Sequence, residues 1–86
     1  MEQRSVADIE GLWAERKFDS NLIQRCRENW AVPIHRVTNL VLATFIRQRV
    51  GLSIAVPEAE RRVEAGYDDD SEIYDGELAA ALADLS

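Results

Sequence analysis

The sequence predicts an all-α fold, a small compact bundle of four to five short helices. Three observations lead there. Apolar residues recur three and four apart along nearly the whole chain, no run alternates cleanly at period two, and β-branched residues are not clustered. Eighty-six residues form one domain, 1–86, near the lower size at which a single hydrophobic core suffices. A hydrophobic content of 47% beside 30% charged residues places the chain with globular rather than disordered proteins.

Val6, Ile9, Leu12 and Trp13 set the inner face of a first helix over about residues 7–16. Ser5 and Asp8 are spaced as a capping box, and Phe18 should pack just beyond the helix. Asp19 or Ser20 can cap a second helix whose inner face is Leu22, Ile23 and Cys26, with Trp30 as its furthest candidate. Pro33 disfavours helical geometry at Val32, which makes residues 30–36 a connection.

Thr38 is a good N-cap for a third helix carrying Leu40, Val41, Leu42, Phe45, Ile46 and Val50. Its apolar arc is wide, so this helix should be central and the most buried. Gly51 is expected to form a left-handed C-terminal cap, with Leu52 supplying the accompanying hydrophobic contact. Ser53 starts a fourth helix through Ile54, Val56, Ala59 and Val63, ending at Gly66, with Pro57 in its first turn where a missing donor is tolerated. A loop over residues 67–74 leads to Asp75, the expected cap of a last helix carrying Leu78, Leu82 and Leu85. Glu77 in its first turn is well placed against the helix dipole.

The net charge of -6 is unevenly divided. Residues 1–50 hold eight basic and six acidic side chains, for +2, whereas residues 51–86 hold two basic and ten acidic, for -8. After Arg62 there is no Lys, Arg or His, yet Glu64, Asp68, Asp69, Asp70, Glu72, Asp75, Glu77 and Asp84 follow. Uncompensated like charge opposes folding by self-repulsion, and such asymmetry is often tied to a partner of opposite sign. The plainer reading is a solvated acidic face that maintains solubility. The position of the three aspartates, between two tyrosine-bearing turns and beside a helix start, favours a role in binding. The charge disfavours direct contact with nucleic acid. A protein that itself binds nucleic acid is the better partner, because closely spaced carboxylates can occupy the lysines and arginines that hold phosphates. Arg25, Arg27, Arg36, Arg47 and Arg49 could form a local basic patch, but the expectation is that they pair with acids elsewhere in the bundle or coat solvent-facing helix surfaces.

The chain offers few groups for catalysis. Cys26, the one thiol, excludes an internal disulfide, points to a reducing compartment and falls on an apolar helix face as an inert buried residue. His35, the one histidine, lies in the proline-containing connection, and nothing local supports a Cys–His nucleophile pair. There is no phosphate-binding glycine loop, nucleophile elbow or metal-binding histidine pair. Asp68, Asp70 and Glu72 open like a calcium loop, but its sixth and twelfth positions are Ile73 and Ala79 where glycine and glutamate are needed. Neither catalysis, cofactor nor metal is therefore expected. Residues 37–46 are too short and polar to span a bilayer, and no secretion signal is seen. A soluble cytoplasmic protein without membrane insertion is the expectation.

The segment Ile46-Arg47-Gln48-Arg49-Val50-Gly51-Leu52, followed by Pro57 and Ala59, resembles a motif of contact-dependent growth inhibition immunity proteins. In one small family it reads roughly I-x-Q-x-I/V-G-L-x-x-x-x-P-x-A. Thr38 before Leu40 matches the start of the preceding helix there, and Glu72-Ile73-Tyr74-Asp75-Gly76-Glu77-Leu78 is similar to the closing signature, an acidic residue followed by Y-x-G-D/E-L. The similarity covers about residues 30–85. Ser53, Ile54 and Ala55 stand where the family has a strongly apolar turn, Asp75 where it often has proline, and Ala79 where it has leucine; the triple aspartate is this chain's own.

Much of the motif reads as architecture: Gly51 ends a helix, Pro57 starts one, and Tyr74 and Leu78 pack across the loop, while Gln48 either bonds the loop backbone or reaches a partner. The resemblance implies a non-catalytic immunity protein that binds and neutralises the C-terminal toxin domain of its system, often a nuclease acting on tRNA or DNA. The expected partner surface is Tyr67, Asp68, Asp69, Asp70, Glu72, Tyr74 and Asp75, facing a basic toxin, with the free protein a monomer or weak dimer. The alternative is a small acidic α-helical antitoxin or adaptor module unrelated to such systems.

Overall fold

The computed structural model describes residues 3–11, 21–74 and 76–85, the side chains of 21–23 excepted. These form five α-helices: α1 (Val6–Glu10), α2 (Asn21–Glu28), α3 (Asn39–Gln48), α4 (Leu52–Ala65) and α5 (Glu77–Ala83), with a 3₁₀ turn at Ile34–Arg36. The β pairing among the described residues is a single bridge between Ser5 and Pro33.

The centre is α3, as its wide apolar arc requires. Thr38 caps it, its Oγ1 accepting the Val41 N–H at 3.2 Å. Val41 through Ile46 are all buried, and α3 packs against α2, α4 and α5. Phe45, Leu42 and Ile46 join Val6, Ile34 and Ile54 as fully buried side chains, with Leu78 and Ala81 closing the core from α5. Each of the large apolar side chains contributes about 1.5–3 kcal/mol on burial.

The first helix is shorter than its apolar spacing suggests. Asp8 accepts hydrogen bonds from the Ser5 N–H at 2.8 Å and the Ser5 hydroxyl at 3.1 Å, so the start is anchored as expected. The helix stops at Glu10 because Gly11, at φ 85° and ψ −168°, leaves helical geometry, its carbonyl accepting the Trp30 indole N–H at 2.7 Å. Leu12, Trp13, Phe18, the caps Asp19 and Ser20, and the side chains of Leu22 and Ile23 lie outside the described residues. Trp30 is buried just beyond α2 rather than on it, and Cys26 is buried on α2. The N-terminal segment docks on the proline connection through Ala7 N–H to Trp30 O and Ile34 N–H to Arg4 O, both 2.8 Å.

The junction of α3 and α4 is tighter than expected. Arg49, not Gly51, is the left-handed cap of α3, and Gly51 is the left-handed N-cap of α4. Two left-handed residues around Val50 reverse the chain so quickly that α4 begins at Leu52, before Ser53. Pro57 consequently falls in the second turn, depriving the Ser53 carbonyl of its helical donor. Ser53 and Pro57 are both exposed, so solvent reaches that carbonyl.

The inner face of α4 also differs. Val56 is half-buried and Val63 is 43% exposed, while Ile54, Ala55, Glu58, Ala59 and Arg62 face inward. Gly76 rather than Asp75 is the N-cap of α5, and Asp75 itself is outside the described residues. No helix among the described residues is long and apolar enough to cross a membrane.

Candidate functional site

Glu58 and Arg62 are one helical turn apart on the buried face of α4, 5% and 6% exposed. A buried ion is costly unless its hydrogen bonds are made. Here they are. The Arg62 guanidinium donates from Nε to Glu58 Oε2 at 2.8 Å and from Nη1 to Asn39 Oδ1 at 3.0 Å, and from Nη2 to the carbonyls of His35 (3.2 Å) and Ile34 (3.4 Å). Arg61 pairs with the other Glu58 oxygen. The Tyr67 ring lies 5.4 Å from the Arg62 guanidinium carbon, within cation–π range.

Fully buried Asn39, the first residue of α3, carries this network into the acidic loop. Its side-chain amide donates to the Tyr67 carbonyl at 3.3 Å and to Glu72 Oε1 at 3.4 Å, and its N–H donates to Asp69 Oδ2 at 2.9 Å. The next N–H, of Leu40, donates to the Ser71 hydroxyl at 3.0 Å, and that hydroxyl donates to Asp69 Oδ1 at 2.6 Å. With Thr38 holding Val41, the first three N–H groups of α3 have side-chain acceptors, two of them from the loop.

The same loop caps α5. Glu72 Oε2 accepts the Leu78 N–H at 2.7 Å, while Glu77 Oε1 reaches back to the Ile73 N–H at 3.0 Å. Buried Glu77 accepts from Arg47 at 2.7 Å, and Arg47 also donates to the Tyr74 hydroxyl at 2.8 Å. Tyr74 thus bridges to α3 while remaining 50% exposed.

Of the seven residues expected to meet a partner, Asp75 lies outside the described residues and the other six divide. Asp69 and Glu72 turn inward and serve helix ends. Asp68 and Asp70 are exposed, as are Tyr67 (52%) and Tyr74. Asp68 accepts the Asp70 N–H at 2.9 Å, which supports the left-handed backbone at Asp70, φ 63°. Ile73, which sequence reasoning passed over, is 73% exposed beside them. Gln48 is exposed at the end of α3.

Family models, curated proteins and solved structures offer no match to this chain. Among the described residues, no group of three or more His, Cys, Asp or Glu is placed to hold a metal ion. The surface offers charge, aromatic rings and an apolar side chain on a firmly tied loop, which suits recognition.

Two carboxylates in the network titrate abnormally. Burial pushes Glu58 up, but hydrogen bonds from Arg61 and Arg62 outweigh it and hold the group below its ordinary value. Burial likewise raises Asp69, but the hydrogen bonds from Ser71 and the Asn39 N–H, aided by the Arg62 charge, outweigh it and hold the group below its ordinary value. A carboxyl with a depressed folded-state pKa stabilises fully above its unfolded value, about 3.9 for Asp and 4.3 for Glu, and that stability goes as pH falls through the folded value. Urea midpoints should accordingly be level from about pH 7 to 5 and fall steadily below about pH 4. A midpoint unchanged down to about pH 2.5 would show that neither charge supports the fold.

Proposed function

We propose that the protein is an immunity protein of the contact-dependent growth inhibition type, which neutralises a basic toxin domain by stoichiometric blockade and performs no chemistry. The observation that carries this reading is the division of labour in the acidic loop. Asp69 and Glu72 tie it to α3 and α5, and Tyr67, Asp68, Asp70 and Tyr74 are displayed from a loop already ordered. Side chains held before contact lose little entropy on binding, and tyrosines are common anchors. The motifs around Ile46–Ala59 and Glu72–Leu78 support the same assignment. Close interfacial charge pairs contribute about 1.5–7 kcal/mol, and opposite fields raise association toward roughly 10⁸–10⁹ M⁻¹s⁻¹ at low salt.

The test is co-expression with the toxin domain encoded directly upstream, read as growth rescue and as a one-to-one complex. A chain that neither rescues growth nor binds is not an immunity protein for that toxin. Within a complex, the double variant Asp68→Asn/Asp70→Asn should slow association by roughly tenfold at low salt and flatten its salt dependence, with unchanged helicity. Asp69 is left intact because its carboxylate holds the front of α3. Unaltered kinetics would place the interface elsewhere.

A further inference from the structure

The polar network on the inner face of α4 displaces apolar residues outward, and they line a groove. Val56 and Val63 on α4, with Ala79, Leu82 and Leu85 at α5, line an open trough of about 510 Å³. Val63 and Ala79 also line an adjoining depression of about 330 Å³ that reaches Tyr67 and Asp68. The apolar floor is therefore continuous with the displayed part of the acidic loop.

Its electrostatics have one sign. Glu60 lines the groove, Glu64 and Asp84 are exposed beside it on α4 and at the end of α5, and Asp68 stands at the far end. No Lys, Arg or His follows Arg62, and the two arginines of α4 are engaged elsewhere, Arg62 in the core and Arg61 with Glu58. A second copy packed groove to groove is disfavoured as occupant, since it would bring two C-terminal portions of charge -8 together. An anionic lipid surface is disfavoured by the same repulsion.

We propose that the groove between α4 and α5 receives a cationic amphipathic helix of the partner protein, its apolar stripe against Val63 and Leu82 and its lysines or arginines against Glu60, Glu64 and Asp84. This rests on the reading above, that the partner is a basic protein, and specifies where it docks. Two packed helices form a trough suited to a third, whose anchors recur at i, i+3, i+4 and i+7.

The test uses the whole protein and a synthetic peptide of leucines and lysines at helical spacing, beside an equally charged peptide with serine in place of leucine. The leucine peptide should bind and shift the amide resonances of Val63, Ala79 and Leu82, and the serine peptide should bind at least roughly tenfold more weakly. Val63→Lys and Ala79→Arg, both at exposed positions, should each weaken capture by about tenfold or more, and Gln48→Ala on α3 should leave it unchanged. Equal binding of both peptides, shifts confined to residues 67–74, or a concentration-dependent dimer abolished by the two variants would each overturn the proposal. With the toxin domain, binding by wild type and both variants alike overturns the groove and spares the immunity reading. Failure of wild type to bind the toxin sinks that reading while the peptide comparison still decides the groove.

Discussion

Arg62→Met is expected to destabilise the protein by about 3–5 kcal/mol, the usual consequence of removing one partner from a buried ion pair. The guanidinium serves Glu58, Asn39 and the carbonyls of Ile34 and His35, so its loss leaves a buried carboxylate short of a donor and takes a donor from three further acceptors. A domain this small has only about 5–15 kcal/mol in total, and each kcal/mol moves the melting temperature by roughly 4–8 °C. Thermal melts followed by circular dichroism should therefore drop by roughly 15 °C or more. Arg62→Lys should rescue little, because one ammonium cannot reproduce a planar fork spread over two helices and the connection. In the double variant Glu58→Leu/Arg62→Met, the combined loss should fall short of the sum of the single losses. A melt of Arg62→Met within about 2 °C of wild type would show that the network contributes little to stability.

Gly51→Val is the second large effect, about 2–5 kcal/mol from two independent causes. The backbone there is left-handed at φ 58°, a conformation that a β-branched residue resists. A Cβ would also stand 2.9 Å from Cγ2 of Val6, itself fully buried. Gly66→Ala separates the causes: its φ of 70° is similar, but nothing lies within 4 Å of the added atom, so only the backbone part, about 1–2 kcal/mol, should be lost. Urea midpoints would decide. Equal losses at the two positions would mean that Val6 moves aside freely.

Helices were legible wherever an apolar stripe met a capping residue. Thr38 before Leu40–Ile46 is such a case, and α3 is both capped and buried as its sequence suggests. Gly51 was legible as a left-handed residue, but its neighbour Arg49 adopts the same geometry, which no propensity for arginine announces. The network around Arg62 was not read because charged residues are usually solvated. The signal was nonetheless present: Glu58 falls three residues after Ala55 and Arg62 three after Ala59, on the stripe that turns inward. Choosing Val56 and Val63 for that stripe followed hydrophobicity alone, and the structure gives those positions to the groove. The acidic loop was located from charge, but charge does not say which carboxylates face inward. That depends on the free N–H groups of α3, separated from the loop by some thirty residues of sequence.

Because the side chains of Asp69, Ser71 and Glu72 are fastened to two helix ends while those of Asp68, Asp70 and Ile73 are displayed, the loop interleaves fixed and changeable letters. On the proposed reading, position 73 is open to change, whereas 68 must keep an acceptor and 70 a residue that tolerates a left-handed backbone. Chimeras that exchange those three positions within these limits are then expected to alter partner choice while both helix ends stay held, which a comparison of binding and of melting temperature would check.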